Sequence, residues 1–131
     1  MQYYRPERRE YVRVKAKIPV KYKYLSHNPS FSCDTVFEGT TSNISGGGVL
    51  LEVELPDREW ITDLLMQRLI VGVNILLPNA PEPIKALTRV AWIEAVEPSS
   101  GKCAMGLQFK EITKEQQDYI FQFIIRSQMP S

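Results

Sequence analysis

The sequence has little of what metal centres and hydrolytic active sites need. Its 131 residues include a single histidine, His27, and two cysteines, Cys33 and Cys103. The cysteines lie far apart without the spacing of metal ligands, so we expect both to be buried thiols. Because His27 has no recognisable nucleophile partner, the residues favour neither a metal site nor an enzyme.

Long apolar runs are also absent. No stretch approaches the roughly 20 residues that a membrane-spanning helix needs. The N-terminus has no apolar segment behind its charges, so no secretory signal is expected and a cytoplasmic location is predicted. Hydrophobic residues still make up 44% of the chain, enough for a core, and residues 1–131 are expected to form a single domain.

Charge is distributed unevenly, although the net charge is only +1. Residues 1–23 contain eight of the sixteen basic side chains and two of the fifteen acidic ones. A basic end on a protein that is close to neutral overall favours a local anionic partner over general adhesion to nucleic acid. A solvated sheet edge protected by lysines would show the same pattern, so charge alone does not decide between them.

Alternation of apolar and polar residues predicts a mostly β chain. Residues 12–24 alternate, with Arg13 and lysines on the polar side, as is typical of a strand with one buried face. Pro19 interrupts that polar side and predicts a bend or an edge position. The same period predicts further strands over about 33–42, 49–55, 71–77, 84–96 and 103–109.

Two segments have helical spacing instead. Residues 57–68 place apolar side chains at helical intervals behind Asp57, which predicts a short capped helix. Thr113 begins a capping box, and the apolar stripe behind it predicts a C-terminal helix over 113–127. About six strands closed by one helix predict an all-β fold, a six-stranded antiparallel β-barrel over 12–111.

Three arginines near the N-terminus are candidates for an anion site. Arg8, Arg9 and Arg13 follow the pattern Arg-Arg-x-x-x-Arg. A guanidinium is always charged, pairs with phosphate oxygens through a planar fork of donors, and matches the O6 and N7 edge of guanine. We expect Arg8 and Arg9 to lie on a flexible arm, residues 1–13, and Arg13 to stand on the outer face of the first strand.

A second motif follows the predicted second strand. Asn43, Ser45 and Gly48 follow the pattern Asn-x-Ser-x-x-Gly. The Asn43 amide can hydrogen-bond a base edge, and the Ser45 hydroxyl can bond a phosphate or an exocyclic group. The glycines let a ligand approach the backbone. A turn that needs positive φ would also explain them.

Together the two motifs resemble those of the PilZ family, in which an arginine arm precedes the first strand and an Asp/Asn-x-Ser-x-x-Gly turn follows the second. Residues 90–92 (Val-Ala-Trp) and 105–109 (Met-Gly-Leu-Gln-Phe) are similar to its last two strands, so the resemblance runs from about Arg8 to Arg126. It implies a six-stranded barrel that binds bis-(3′-5′)-cyclic dimeric GMP (cyclic di-GMP) on its outer face. No cofactor is expected besides this ligand.

The resemblance also implies roles for individual residues. The three arginines would contact phosphates and guanine edges, Asn43 would hold a guanine, Ser45 would hydrogen-bond the ligand, and Gly48 would permit close approach. Asn43 replaces the aspartate of many members and lacks its charge. Trp92 is a further ligand-binding candidate beside a guanine, although a core position is the leading interpretation. Glu7 directly precedes the arginine motif. In the family, the residue at this position influences whether one ligand or a stacked pair is bound, and the negative charge of Glu7 favours a single ligand.

The resemblance makes a signalling receptor the leading hypothesis. The arm would change on ligand binding and signal through an unidentified partner protein in bacterial motility, adhesion or exopolysaccharide control. A non-binding interaction scaffold is one alternative. An oligonucleotide-binding barrel whose tyrosines stack bases is another, with nucleic acid the less favoured partner. The segment 57–68 departs from the simplest family pattern. It would either fill a loop or, if Trp60 or Met66 is exposed, form a surface that docks a partner.

Overall fold

The computed structural model describes residues 12–54, 57–97 and 101–129, in which seven strands and two helices form. The strands are β1 (Arg13–Lys15), β2 (Pro19–Ser26), β3 (Phe37–Ser45), β4 (Gly48–Glu54), β5 (Leu69–Ile75), β6 (Ile84–Glu97) and β7 (Lys102–Glu111). The helices are α1 (Arg58–Leu65), between β4 and β5, and α2 (Lys114–Gln128), after β7.

Six of the strands close into an antiparallel barrel. Around the wall the order is β3, β2, β5, β6, β7 and β4, and pairing of β4 with β3 closes the ring. The remaining strand, β1, pairs with one half of β3, and β2 pairs with the other half. The predicted six-stranded antiparallel barrel is therefore confirmed, with β1 as an additional strand.

The single strand predicted over 12–24 is in fact two strands, and Thr41 bridges the break between them. The chain leaves the ladder after β1, and β2 begins at Pro19, the residue that predicted a bend. The fully buried Thr41 hydroxyl accepts a hydrogen bond from Ile18 N–H at 3.0 Å and donates one to Ala16 C=O at 2.5 Å. It thereby satisfies backbone groups that would be costly to leave without partners in the interior.

Alternate strand residues fill the barrel interior, as the period of two predicts. On β2, Val20, Tyr22 and Tyr24 are each at most 3% exposed. On β4, the predicted inward residues Val49, Leu51 and Val53 are buried, while Glu52 and Glu54 are exposed. The inner faces of β5, β6 and β7 supply the rest of a continuous core.

Outside the barrel wall, two predictions of burial are wrong. Val12 is 57% exposed because it precedes β1 and so lies before the ladder begins. Cys33 is only half-buried because it lies in the loop between β2 and β3. Cys103, by contrast, is on β7 with its side chain in the core and is buried as predicted.

Both predicted helices form behind their predicted caps. The Asp57 carboxylate accepts a hydrogen bond from Glu59 N–H at 3.1 Å, and the Thr113 hydroxyl accepts one from Gln116 N–H at 3.1 Å. The first helix is shorter than predicted and ends at Leu65. Neither helix of the described residues has the length and apolar character needed to cross a membrane.

Helix α1 contributes to the core rather than standing apart from it. Its Leu64 is fully buried. Its Trp60 packs edge-on against the rings of Tyr24 and Phe31, with ring centroids 5.3 and 5.5 Å apart respectively. Trp60 is thus partly buried in an aromatic cluster, while Met66 is 58% exposed. Of the two residues suggested for partner docking, only Met66 is on the surface.

Replacing Thr41 by valine should lower the free energy of unfolding by about 1–3 kcal/mol, because two buried backbone groups would lose their hydrogen-bond partner. Thr41→Ser keeps the hydroxyl and is the matched control, which should lose less stability. Urea denaturation of the three proteins measures both differences. Equal stability of Thr41→Val and the wild type would contradict the bridging role.

The barrel should also lose stability in strong base. Burial raises the pKa of Tyr22 from its ordinary value of 10.0 to about 12, and burial raises the pKa of Tyr24 as well. The folded state therefore holds these phenolic protons more tightly than the unfolded state does. The contribution of Tyr22 to stability is complete below pH 10 and is lost as the pH rises through about 12, and the ionisation of Tyr24 in strong base adds to this loss.

Urea denaturation at a series of alkaline pH values checks this loss, with tyrosinate absorbance reporting the ionisation. Tyr22→Phe removes one of the two phenols and should show a smaller fall in stability with pH. An identical fall in the wild type and in Tyr22→Phe would contradict the assignment.

Candidate functional site

Pairing of β1 with β3 places Arg13 beside the glycine-rich turn. In the ladder, Arg13 lies opposite Ser45, and Lys15 lies opposite Asn43. Opposed residues of an antiparallel pair share a face and have Cβ atoms about 4.5–5.5 Å apart. Arg13 and Lys15 are exposed, so this face of the ladder is the outer face of the barrel, where Asn43 is partly exposed and Ser45 is buried in the turn. Arg13, the described residue of the arginine motif, is therefore adjacent to the Asn-x-Ser-x-x-Gly motif, although the two are distant in the sequence.

These pairs begin two parallel rows that continue around the wall through β4, β7 and β6. In register order, the first row is Arg13, Ser45, Gly48, Gln108 and Arg89. In the same order, the second row is Lys15, Asn43, Leu50, Gly106 and Trp92. With neighbouring strands about 4.8 Å apart, each row is about 19 Å long. We refer to these ten residues as the two-row surface.

The two-row surface is positively charged at both ends. Arg13 and Lys15 lie at one end and Arg89 at the other, and none of the ten residues is acidic. The Arg89 Nε donates a hydrogen bond to the Gln108 side-chain oxygen at 2.6 Å, which orients the guanidinium. Among the described residues, no group of three His, Cys, Asp or Glu side chains could hold a metal ion. The surface is suited to an elongated anion.

Gly48 allows β4 and β7 to approach closely. A Cβ at Gly48 would lie 2.0 Å from the Leu107 carbonyl oxygen, so no side chain fits there. Positive φ does not explain the three glycines of the turn, because Gly101 is the only described glycine with a positive φ, 72°. Close backbone packing therefore accounts for Gly48 in this fold.

The Ser45 hydroxyl shapes the turn between β3 and β4. It accepts a hydrogen bond from Gly47 N–H at 3.1 Å and donates one to Gly48 C=O at 3.3 Å. The turn is also tied to α2, because the Gln117 side-chain amide donates to Gly46 C=O at 2.7 Å. These bonds hold the backbone of the turn in one position on the outer face.

Trp92 is not a core residue, so the leading interpretation of it from the sequence is wrong. Its side chain is 38% exposed, and the indole occupies the space above Gly106, where an added Cβ would lie 2.4 Å from the indole nitrogen. The register of β6 shifts between Val90 and Trp92. Val90 faces inward, and this bulge turns Trp92 outward where strict alternation would bury it.

Five of the seven predicted site residues lie on the two-row surface, namely Arg13, Asn43, Ser45, Gly48 and Trp92. Arg8 and Arg9 lie outside the described residues, and so does Glu7. Four further side chains of the surface were not predicted from the sequence, those of Lys15, Leu50, Arg89 and Gln108. Alternation could show that these side chains face outward, but it contains no information on which strands are neighbours or in what register.

Comparison with known proteins identifies related folds. The family model described as the PilZ domain matches residues 7–126. Comparison with curated proteins finds no match. The solved structure of MotI/DgrA, the inhibitor of motility of Bacillus subtilis, is similar, with a TM-score of 0.64 and 23% sequence identity over 93% of this chain and 52% of that chain.

Two further similar structures are described with a ligand. The K. pneumonia MrkH–cyclic di-GMP complex has a TM-score of 0.61 and 16% identity, covering 92% of this chain and 52% of that chain. The PilZ domain of YcgR from Escherichia coli with cyclic di-GMP has a TM-score of 0.55 and 11% identity, covering 92% and 91%. This chain spans about half the length of the MotI and MrkH chains. At these identities the similarity shows a shared fold.

Gly48→Ala should destabilise the barrel by about 1–3 kcal/mol, because the new methyl group would push against the backbone of β7. Gly72→Ala on β5 is the matched control, since its Cβ would meet the movable tip of Leu25 at 3.1 Å. It should cost less. Thermal and urea denaturation of both variants measure the costs. A stable Gly48→Ala barrel would show that β4 and β7 can separate at no cost.

Proposed function

The chain belongs to the PilZ domain family, and on that basis we propose that it is a receptor for cyclic di-GMP. The observation that carries the proposal is the register of β1 on β3, which sets Arg13 and Lys15 directly beside Ser45 and Asn43. Both MrkH and YcgR are described with bound cyclic di-GMP, which supports the same ligand for this chain.

The end of the surface near β1 binds a phosphate and one guanine in this proposal. The Arg13 guanidinium pairs with phosphate oxygens, and Lys15 adds a second positive charge. The Asn43 amide bonds a guanine edge. Ser45 has its hydroxyl engaged within the turn, so its main contribution is to fix the backbone that the ligand contacts. Gly48 leaves the surface free of a side chain at its centre.

The end of the surface near β6 binds the second guanine. The exposed indole of Trp92 offers a flat face on which a base can stack. Arg89, oriented by its bond to Gln108, lies beside it and can bond the guanine O6 and N7 edge or a phosphate. Leu50, between the two ends, supplies an apolar contact. The length of about 19 Å suits a ligand with two bases.

Arg8 and Arg9 complete the site from the N-terminal arm. Arg9 precedes Arg13 by four residues, and an extended chain spans at most about 3.5 Å per residue. The Arg9 backbone can therefore reach about 14 Å from Arg13, most of the length of the two-row surface. The arm closes over the bound ligand, and Glu7 next to the arginines disfavours a second, stacked ligand by charge repulsion.

The closed arm is the signal in this proposal. A cytoplasmic partner protein recognises the changed conformation of the arm, and the chain acts as an adaptor without catalysis. The alternative of oligonucleotide binding loses part of its support, because Tyr22 and Tyr24 are buried and cannot stack bases. Tyr3, Tyr4 and Tyr11, the other tyrosines on which it rests, lie outside the described residues.

Calorimetric titration with cyclic di-GMP tests the proposal. The wild type should bind one ligand per chain at micromolar concentrations or below. Arg9→Ala and Arg13→Ala should each weaken binding about 10-fold to 100-fold, since each removes charge-assisted hydrogen bonds. Lys17→Ala removes an exposed positive charge outside the two-row surface and is the matched control, which should bind almost as the wild type does.

A folded wild-type protein that binds no cyclic di-GMP at micromolar concentrations would rule the proposal out. Equal losses in Lys17→Ala and Arg13→Ala would show that binding depends on general charge and not on the two-row surface.

A further inference from the structure

The wall of the barrel opposite the two-row surface carries a groove. The two-row surface is centred on β4, and β5 lies three strands away in the ring of six, which is the opposite side. The groove lies over the outer faces of β2, β5 and β6 and has a volume of about 360 Å³. This volume is within the range of sites that bind small ligands, roughly 300–1,000 Å³.

The floor of the groove is apolar. Gly72 lies between Lys23 and Leu87 in the register of β2, β5 and β6, and it leaves a gap in the outer face. The side chains of Leu25 and Leu87 flank this gap, 3.1 and 3.7 Å from where a Gly72 Cβ would stand. Val36, 57% exposed, adds an apolar side chain to the wall. The floor offers a place for an apolar side chain.

The rim of the groove is basic. Lys21, Lys23 and Lys85, which we call the groove lysines, line it together with one acidic residue, Glu111. Lys23 also contacts the Asp34 carboxylate at 3.9 Å, but that carboxylate is 98% exposed, so the pair is weak. Among the lining residues, three ammonium groups stand against one carboxylate, and this excess of positive charge favours an anionic occupant. Asp34 and Glu38 lie beside the groove lysines but do not line the groove.

We propose that this groove docks an acidic segment of a partner protein. One apolar side chain of the segment sits over Gly72, and carboxylates on either side of it pair with the groove lysines. The amide of Asn74, which lies between Lys21 and Lys85 in register, can bond the backbone of the segment. Arginine and exposed aromatic rings, which stack bases, are absent from the lining residues, so a nucleotide fits less well.

A lipid surface also fits less well than a peptide. The groove is concave, whereas a bilayer presents a flat face. Acidic residues stand beside the groove lysines, with Glu111 in the lining and Glu38 opposite Lys21 on β3, and these would repel anionic headgroups. A peptide can place its carboxylates on the lysines and avoid the acidic positions.

The proposal is independent of cyclic di-GMP binding, because no residue lines the groove and also belongs to the two-row surface. Either can fail while the other holds. The two sites come closest on β6, where Leu87 of the groove is two residues from Arg89 of the two-row surface.

Nuclear magnetic resonance of the isotope-labelled full chain tests the groove. The probe is a pool of short peptides with glutamate or aspartate at every position except a central leucine, isoleucine or phenylalanine. Backbone amides of Gly72, Asn74 and Leu87 should shift as the pool is added, while those of Asn43 and Gly106 should not. A pool with lysine in place of the acidic residues is the control and should cause no shift at these amides.

Charge reversal then tests the groove lysines. The double variant Lys21→Glu/Lys85→Glu should weaken binding of the acidic pool by at least about 10-fold. The control double variant Lys17→Glu/Lys114→Glu has the same change in net charge and should alter binding of the pool little. The spectrum of each variant reports whether the barrel is folded, and Lys21→Gln/Lys85→Gln replaces the first variant if it is not. The double variants at Lys21 and Lys85 should bind cyclic di-GMP as the wild type does.

The proposal would be overturned by no shift at Gly72 with the acidic pool, by equal shifts with the lysine pool, or by undiminished binding of the acidic pool to the folded groove variants. Larger shifts at the same amides with phosphatidylglycerol vesicles than with peptide would overturn it in favour of a lipid surface.

Discussion

The hydroxyl of Thr41 fixes the geometry on which the candidate site depends. It bonds backbone groups on both sides of the break between β1 and β2, beside the backbone hydrogen bonds from Ala16 N–H to Ser42 C=O and from Thr41 N–H to Ile18 C=O. β1 has only three residues, which pair with β3 alone, so it has few ladder bonds of its own to set its position. A slip of one residue would turn Arg13 inward and Val14 outward, because side chains alternate along a strand. The buried threonine therefore holds the positive end of the two-row surface in register.

Period and capping residues were enough to predict most of the fold. The inward residues of β2 and β4 and the caps at Asp57 and Thr113 follow from local rules that act over a few residues. The break between β1 and β2 was missed because apolar alternation continues through it, and only Pro19 gave a local signal. Trp92 was assigned to the core because a bulge changes which face a residue occupies without changing the pattern of the sequence.

The candidate site was predictable only where its residues form a linear motif. The Asn43–Gly48 turn is contiguous, and its spacing could be compared with that of a family. Arg89 and Gln108 come from strands far along the chain, and their place opposite Gly48 depends on the register of three strands. Register is set by packing and by bulges, which no short stretch of sequence records. The close approach at Gly48 is likewise a property of two strands together.

Closure of the ring determines what kind of recognition this protein can offer. Each of its six strands has a neighbour on both sides over part of its length, so many backbone donors and acceptors are consumed within the barrel. Over these paired lengths an incoming strand finds no open edge to extend. Recognition on the barrel wall then depends on outward side chains, which contribute little to the core. Evolution can exchange these side chains to change a ligand or a partner while the interior, and with it the fold, stays the same.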